Sequence, residues 1–178
     1  ALRERSYVHA HGTGTPQNRV TESHVLNQVA DAFGIQDWPV AAIKAYVGHS
    51  LGSAGGDQLA AALGTFADGV LPGIATVERF ADDLHADRLS LKQAHRELRP
   101  DAALLNSKGF GGNNATAVVL SPQRATDLLA RRHGERALDA WRDRVAATRD
   151  AAADYDRRAL AGQVVPEYHF NDGVLNGD

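Results

Sequence analysis

Short apolar runs alternate with amphipathic segments along the first 120 residues, a pattern that predicts an α/β fold. Residues 6–10 and 40–43 have the length and the composition of buried strands. Apolar side chains recur at helical spacing over residues 20–33 and 53–67, so a helix is expected after each of these strands. A glycine follows each helical segment, at a position where helices commonly end.

The pattern continues with two strands, over residues 103–106 and 115–120, joined by a glycine-rich connection. That connection is too long for a two-residue hairpin turn, and it holds one bulky aromatic residue, Phe110. Beyond Pro122 the apolar side chains stand among many arginines and aspartates, which predicts one or two amphipathic helices with a solvated charged face. Apolar residues return over 163–178, and we expect this tail to dock on the folded core or on a second subunit.

Composition narrows the class of protein without identifying it. The chain has 178 residues and a net charge of -3, so it has the size of one domain and lacks the excess basic charge of a nucleic-acid surface. No apolar run approaches the roughly 20 residues of a membrane span, and the first residues do not resemble a signal peptide, so a cytoplasmic location is expected. Cysteine is absent, which excludes disulfides, thiolate metal sites and cysteine catalysis within this chain. Methionine is also absent, which suggests that translation begins upstream.

The stretch richest in chemical possibilities is residues 41–56, where an apolar run leads through Lys44 to a glycine-rich turn and then to a helix. Three interpretations fit it. Residues 48–52 match the G-x-S-x-G nucleophile elbow, which would make Ser50 the nucleophile of a serine hydrolase. Alternatively, His49 does the chemistry with Lys44 nearby, or the turn has no chemical role.

Two further loops favour the second interpretation. Residues 11–16 read His-Gly-Thr-Gly-Thr-Pro, Gly48-His49 follows Lys44, and residues 106–114 contain Asn-Ser and Gly-Phe-Gly-Gly. In this order and spacing the three loops resemble the C-terminal half of a β-ketoacyl-[acyl carrier protein] synthase, and the resemblance covers about residues 6–120. A serine hydrolase would leave the first and third loops unexplained.

The resemblance implies a thiolase-like fold, a five-layered αβαβα architecture of which this chain would form the C-terminal half. That half would hold a mixed sheet and a buried central helix. Residues 1–121 would then be the half-domain, and residues 122–178 a helical extension with a docking tail. The implied reaction is the decarboxylative Claisen condensation of an acyl thioester with malonyl-[acyl carrier protein], in fatty acid or polyketide synthesis.

The resemblance also implies which residues form the site. His11 and His49 would be catalytic and would donate hydrogen bonds from Nε2 to the developing enolate oxygen, with Lys44 as a third catalytic group that acts through its charge. Glu22 would support them; it could pair with Lys44, or it could simply begin a helix. We expect His9, two residues before His11, to be a packing residue rather than a metal ligand. No metal or resident cofactor is expected, since phosphopantetheine would arrive on the acyl carrier protein.

Loop residues would complete the implied site. Two hydroxyls would bind the pantetheine arm of the carrier protein, and one aromatic residue would gate the acyl pocket while its backbone N–H contributes to an oxyanion hole. Flanking glycines would let the gating loop move. These residues are Thr13 and Thr15 for pantetheine, Phe110 for the gate, and Gly109, Gly111 and Gly112 for the loop.

The sequence departs from the family pattern at Lys108, where members often carry an aromatic residue, at Asn113, where they often carry threonine, and at Arg19, where aspartate is common. The family's nucleophilic cysteine belongs to the N-terminal half, so we expect a companion polypeptide, either the front half after cleavage or a separate subunit. The other expected partners are the acyl carrier protein and a second copy of the whole enzyme. The alternatives are a non-catalytic partner of the chain-length-factor kind and the serine hydrolase.

Overall fold

The computed structural model describes residues 2–165 of the chain, which divides into two compact units, residues 1–127 and 128–178. The predicted docking tail, residues 163–178, lies almost entirely outside the described residues. The elements are β1 (Ser6–His9), α1 (Pro16–Ala32), β2 (Trp38–Ala41), α2 (Lys44–Val47), α3 (Ala54–Asp68), β3 (Val70–Leu71), β4 (Leu89–Ser90), β5 (Arg96–Glu97), β6 (Ala102–Lys108), β7 (Asn114–Leu120), α4 (Pro122–His133) and α5 (Glu135–Leu160).

A five-stranded mixed sheet organises the first unit, with strand order β4-β2-β1-β6-β7. The first four strands are parallel, and β7 runs antiparallel to β6. Strand β1 lies in the middle, where Val8 is opposite Val40 of β2 and Leu104 of β6. Because parallel strands end at the same edge of a sheet, the segments that follow β1, β2 and β6 meet there.

Each face of the sheet is covered by a helix. Leu26 and Ala30 of α1 pack with Val8 of β1 on one face, in a core that also contains the buried Trp38. Residues of β1 alternate between the faces, so Tyr7 lies in the second core, with Ala62 of α3. The sheet is therefore the middle layer of an α–β–α arrangement.

The predicted elements are present, with shifted ends. Helix α1 begins at Pro16 rather than at residue 20, since proline is favoured in the first turn of a helix, where its missing N–H costs nothing. Strand β2 ends at Ala41, and Lys44–Val47 is a short helix where the strand had been expected to continue to residue 43. The two-residue strands β3, β4 and β5 were not predicted, because a strand that short has no measurable periodicity.

Helix α3 buries one face and exposes an apolar one. Its buried positions hold small or polar side chains, whereas Leu59 and Leu63 are 40% and 53% exposed. Gly69 ends the helix in the left-handed conformation at φ +70°, as its sequence position predicts. A surface helix of a monomer usually turns its apolar side chains toward the core, so the two outward-facing leucines of α3 are unusual.

Two helices follow the sheet, as the amphipathic pattern predicts. Helix α5 has 26 residues and is largely exposed. Its charges pair along its own surface, where Asp154 accepts hydrogen bonds from Arg157 and Arg158 at 2.9 Å and Arg149 lies over Trp141 at 5.7 Å. None of the helices within residues 2–165 is long and apolar enough to cross a membrane.

Candidate active site

The three loops identified in the sequence converge at the edge of the sheet where its parallel strands end. They surround an open pocket of about 1180 Å³. Nine of the ten predicted site residues line this pocket: His11, Thr13, Thr15, Glu22, Lys44, His49, Gly109, Phe110 and Gly111. Gly112, the tenth, is not part of the lining.

The two imidazole rings lie side by side at the centre of this edge. The ring centroids of His11 and His49 are 5.2 Å apart, with the planes nearly perpendicular at 82°. Nδ1 of His11 accepts a hydrogen bond from the Lys108 backbone N–H at 3.2 Å, and Nδ1 of His49 accepts one from the Leu51 backbone N–H at the same distance. A nitrogen that accepts an N–H carries no proton, so each neutral ring bears its proton on Nε2. Both rings can therefore donate a hydrogen bond into the pocket.

Burial and positive charge keep His11 neutral. Desolvation lowers the pKa of His11, and the nearby ammonium of Lys44 lowers it further, against an opposing effect of the Glu22 carboxylate. Burial also lowers the pKa of Lys44, while the carboxylates of Glu22 and Asp57 act in the opposite direction. The Lys44 ammonium is buried and makes no hydrogen bond to any described residue. It therefore acts on its neighbours through its charge.

Glu22 is the anchor of the first loop. Its carboxylate accepts hydrogen bonds from the backbone N–H groups of His11 at 2.7 Å and Gly12 at 3.0 Å, and from the side chains of Asn18 at 3.1 Å and Asn106 at 2.6 Å. Gly12 reaches this position at φ +62°, a conformation that favours glycine. The suggested pairing of Glu22 with Lys44 is not a hydrogen bond, since the Lys44 ammonium has no hydrogen-bond partner among the described residues. The carboxylate binds the loop and acts on Lys44 through its charge.

His9 is a packing residue, as expected. Its side chain has no exposed surface, and its ring meets that of Tyr7 edge to face at 5.2 Å. Neither ring nitrogen has a hydrogen-bond partner among the described residues. Desolvation, with a smaller contribution from the charge of Lys44, lowers the pKa of His9 to about 4.

The buried state of His9 makes the stability of the protein depend on pH. An unfolded chain protonates His9 near its ordinary pKa of about 6.5, whereas the folded chain resists protonation until about pH 4. The unfolded state thus binds more protons in this window, and the free energy of unfolding falls by about 3 kcal/mol in total as the pH drops through it. We expect His9→Leu to remove most of this fall in urea titrations made between about pH 7 and pH 4.

Tyr7→Phe is the control for this prediction. It removes a buried hydroxyl beside His9, but burial raises the pKa of Tyr7 to about 12, so no titration in the acidic range is lost. The variant should keep the pH dependence of the wild-type chain. A pH dependence that His9→Leu leaves intact would contradict the prediction.

Ser50 does not have the surroundings of a hydrolase nucleophile. Its backbone, at φ -77° and ψ 12°, is not the strained conformation of a nucleophile elbow, and the positive φ values of this turn fall on Gly48 and Leu51 instead. The Ser50 hydroxyl donates a hydrogen bond to the Asp57 carboxylate near the start of α3. His49, the adjacent imidazole, directs Nδ1 to the Leu51 backbone. No histidine within residues 2–165 is hydrogen-bonded to Ser50 as a general base.

The third loop carries an exposed aromatic residue on a glycine-rich turn. The Phe110 side chain is 92% exposed. Gly111 and Gly112 have φ values of +80° and +86°, which other residues rarely adopt, and the backbone N–H of Gly109 donates to the Asn113 carbonyl at 2.6 Å. In the first loop, the hydroxyls of Thr13 and Thr15 are 3.4 Å apart at the mouth of the pocket.

Three residues hold the site in supporting roles that were not assigned from the sequence. Asn18 and Asn106 are partners of Glu22, and Gln58 is a fully buried amide on α3. Gln58 left a detectable signal, since it is a polar residue four positions from both Ala54 and Ala62 on the buried face of α3. Asn18 stands one helical turn before Glu22, a spacing that allows a side-chain hydrogen bond. Asn106 was identified only as part of the third loop, because its contact with Glu22 spans 84 residues.

Comparison with known proteins agrees with the arrangement of these loops. A family model described as the C-terminal domain of β-ketoacyl synthase matches residues 3–78. The chain is 52% identical over 179 aligned residues to the β-ketoacyl-[acyl-carrier-protein] synthase FabY of Pseudomonas aeruginosa, an alignment that covers 98% of this chain and 28% of FabY. It is 37% identical over 113 residues to the 3-oxoacyl-[acyl-carrier-protein] synthase 2 of a Synechocystis species, covering 62% of this chain and 26% of that synthase.

Solved structures show the same similarity. The crystal structure of the ketosynthase FabY from P. aeruginosa superposes with a TM-score of 0.89 at 52% identity, over 97% of this chain and 27% of FabY. The ishigamide ketosynthase/chain length factor superposes with a TM-score of 0.57 at 28% identity, over 68% of this chain and 29% of that one. The chain thus spans about a quarter of the length of the relatives it matches. The thiolase-like fold predicted from the three loops is confirmed.

Proposed function

This chain belongs to the β-ketoacyl synthase family, and we propose that it supplies the histidine–histidine–lysine part of a condensing site for fatty acid or polyketide synthesis. The reaction is the decarboxylative condensation of an acyl thioester with malonyl-[acyl carrier protein]. The observation that carries the proposal is the backbone hydrogen bond to Nδ1 of both His11 and His49, which leaves Nε2–H free in each ring. Two neutral donors directed into one pocket suit a substrate oxygen that becomes negative during the reaction.

The site residues would act on the extender thioester. As the carbon–carbon bond to the malonyl carboxylate breaks, CO2 leaves and the electron pair moves onto the thioester carbonyl, giving an enolate. His11 and His49 would each donate a hydrogen bond to that oxygen. The enolate carbon then attacks the acyl group on a cysteine, and the thiolate leaves. No proton needs to move from either ring, so the donors must stay neutral and keep their tautomer.

Lys44 would hold that protonation state. Its buried ammonium, without a hydrogen-bond partner among the described residues, raises the free energy of a second positive charge at His11. An imidazolium in the site would form an ion pair with the malonyl carboxylate, and stabilising that ground state opposes the loss of CO2. We therefore assign Lys44 an electrostatic role rather than proton transfer.

The cysteine nucleophile would come from a companion polypeptide or chain segment, since none of the 178 residues is cysteine. The outward face of α3 supports this part of the proposal. It presents Leu59 and Leu63 beside the small residues Gly56 and Ala60, and all four are exposed. Such a face can bury apolar area while letting a second helix approach closely. We propose that it packs against the cysteine-bearing half of the enzyme.

The remaining loops would serve the carrier protein and the acyl group. Thr13 and Thr15 lie at the mouth of the pocket, where their hydroxyls can bind the amide groups of pantetheine. Phe110, exposed on its glycine turn, would close over the acyl chain and present its backbone N–H to the acyl carbonyl. The cofactor of the reaction is then the phosphopantetheine of the acyl carrier protein, and the whole enzyme would work as a homodimer.

The test is a condensation assay on a preparation whose polypeptides are identified by denaturing electrophoresis and intact mass. Malonyl-[acyl carrier protein] and an acyl thioester are the substrates, and the β-ketoacyl product is measured. The proposal predicts activity only in preparations that contain a second, cysteine-bearing polypeptide or segment besides these 178 residues. Condensation by the 19.0 kDa chain alone would overturn it, and a reassembled complex without condensation would favour a non-catalytic partner subunit.

A charge on the outward face of α3 should prevent assembly. Leu63→Glu places a carboxylate where we propose an apolar contact, and an unpaired charge buried there would weaken association by several kcal/mol, or at least about 100-fold in Kd. The chain itself should still fold, because Leu63 is 53% exposed in it. Titration with the separately expressed cysteine-bearing half, followed by sedimentation velocity, measures the effect.

Phe33→Glu is the matched control for this variant. Phe33 is 67% exposed and follows α1, on the opposite face of the sheet from α3. The control variant should assemble like the wild-type chain. Equal affinity of Leu63→Glu and wild type would show that α3 does not form the contact.

A further inference from the structure

Gln58 is a fully buried amide in the middle of the candidate site's supporting structure. It lies on α3, one turn after the helix begins, between the small buried residues Ala54 and Ala62. A buried amide is tolerated only when its hydrogen-bonding groups are satisfied. Its partners therefore show what the residue holds in place.

Both hydrogens of the Gln58 amide are used, one on the residue that follows β1 and one on a residue near the end of β6. Nε2 donates to the carbonyl of Ala10 at 2.8 Å and to the carbonyl of Asn106 at 2.9 Å. Oε1 accepts a hydrogen bond from the Ser107 hydroxyl at 3.0 Å, which fixes which end of the amide faces the carbonyls. One side chain thus joins α3 to the residues that precede His11 and Lys108.

The hydrogen bonds of Gln58 lie next to the hydrogen bond between His11 and Lys108. Strands β1 and β6 are paired as far as His9 opposite Leu105. The carbonyls that Gln58 binds belong to the residues that follow this pair, Ala10 and Asn106. Just beyond them, the Lys108 backbone N–H donates to Nδ1 of His11. Gln58 therefore connects the two segments just beyond the last hydrogen-bonded pair of β1 and β6. The next contact between them is the hydrogen bond from Lys108 that sets the tautomer of His11.

We propose that Gln58 is a positioning residue, which holds the segment after β1 and the end of β6 at the separation that keeps the proton of His11 on Nε2. The effect on the tautomer concerns this chain alone, and the effect on catalysis rests on the proposed function. Helix α3 begins at Ala54, shortly after His49, so through this helix Gln58 also connects the segments that carry the two imidazoles.

The tautomer of His11 can be measured on the full chain by ¹⁵N NMR of labelled histidine side chains at about pH 8, where the ring is neutral. The test variant is Gln58→Met, which keeps the length of the side chain and removes both donors and the acceptor. We expect the ratio of Nε2–H to Nδ1–H in His11 to fall roughly three- to tenfold, the effect of weakening one neutral hydrogen bond. Spectra of His11→Gln assign the signals.

Ala62→Gly is the matched control, one turn further along α3. It weakens the same helix at a fully buried position but removes none of the hydrogen bonds of Gln58. We expect it to lower Tm while the His11 signals stay unchanged. If Gln58→Met lowers Tm and leaves the tautomer ratio at the wild-type value, Gln58 is only a structural amide and the proposal is overturned.

Two further measurements cover the cases in which Gln58→Met does not fold or the reassembled enzyme does not catalyse condensation. Should Gln58→Met not fold, Ser107→Ala removes only the bond that orients the amide, and it should shift the His11 ratio in the same direction by a smaller factor; no shift there also overturns the proposal. In the reassembled enzyme, Gln58→Met should lower kcat roughly tenfold or more with little change in KM, because a displaced donor acts on the transition state. A wild-type complex without condensation would refute the proposed function and leave the tautomer result standing.

Discussion

Replacing His49 by alanine is expected to lower kcat for condensation by roughly 100- to 1,000-fold, the usual cost of losing one preorganised donor to an oxyanion. His49 and His11 have ring centroids 5.2 Å apart, so neither ring can serve the oxygen in the other's place without moving. The loss should appear in kcat rather than in KM, since the hydrogen bond strengthens as the enolate forms. Steady-state assays of the reassembled enzyme with malonyl-[acyl carrier protein] measure both constants.

Ser50→Ala is the control, since it changes the adjacent residue. The Ser50 hydroxyl donates to Asp57 near the start of α3, and within residues 2–165 it makes no hydrogen bond to an imidazole. We expect kcat within roughly twofold of wild type, as for an exposed hydroxyl outside the site. Loss of condensation in Ser50→Ala, with activity retained in His49→Ala, would contradict the assignment and return the serine hydrolase to consideration.

The meeting of the three loops could be predicted because their motifs, taken in order, resemble one family. Apolar runs located β1, β2 and β6, and the family resemblance placed the loops that follow them in one site. The structure gives the reason, since these strands are parallel neighbours whose ends meet at one edge of the sheet. The family resemblance then supplied the roles. Boundaries failed where local chemistry overrode periodicity, as at Pro16, which begins α1 four residues early.

The hydrogen bonds that support the site could not be predicted in the same way. Glu22 and Asn106 are 84 residues apart, and Gln58 bonds Ala10 and Asn106 across 48 residues in each direction. No spacing rule links such positions, because they meet only after the sheet and both helices have packed. The orientation of α3 was open for the same reason, since its apolar stripe fits either an inward face or a contact with a second polypeptide.

Two side chains hold the strand ends from opposite faces of the sheet. Glu22 on α1 binds the backbone of His11 and the side chain of Asn106, and Gln58 on α3 binds the carbonyls of Ala10 and Asn106. Asn106 therefore receives a contact from each face. The first loop can be rich in glycine and still well positioned, because these polar side chains replace the strand pairing that ends at His9.

Glu22→Gln is expected to lower the free energy of unfolding by at least about 3 kcal/mol. The carboxylate uses both oxygens, with His11 and Asn106 on Oε1 and Gly12 and Asn18 on Oε2. A glutamine side chain can place its single oxygen toward one pair only, and its NH2 group then faces the other two donors. Two hydrogen bonds to a charged group are lost, each worth about 1.5–3 kcal/mol, and two donors are left without an acceptor. Urea unfolding of the full chain measures the change.

Asp31→Asn is the matched control, a change from carboxylate to amide on the same helix. Asp31 pairs with Arg88, but its side chain is 63% exposed, and such surface pairs contribute about 0–1 kcal/mol. The difference in unfolding free energy between the two variants separates the contribution of the buried network from the general effect of removing a negative charge from α1. A loss in Glu22→Gln no larger than in Asp31→Asn would mean that the four hydrogen bonds do not hold the first loop. Because Glu22 binds the backbone N–H of His11, condensation should fall together with stability in Glu22→Gln and remain near wild type in Asp31→Asn.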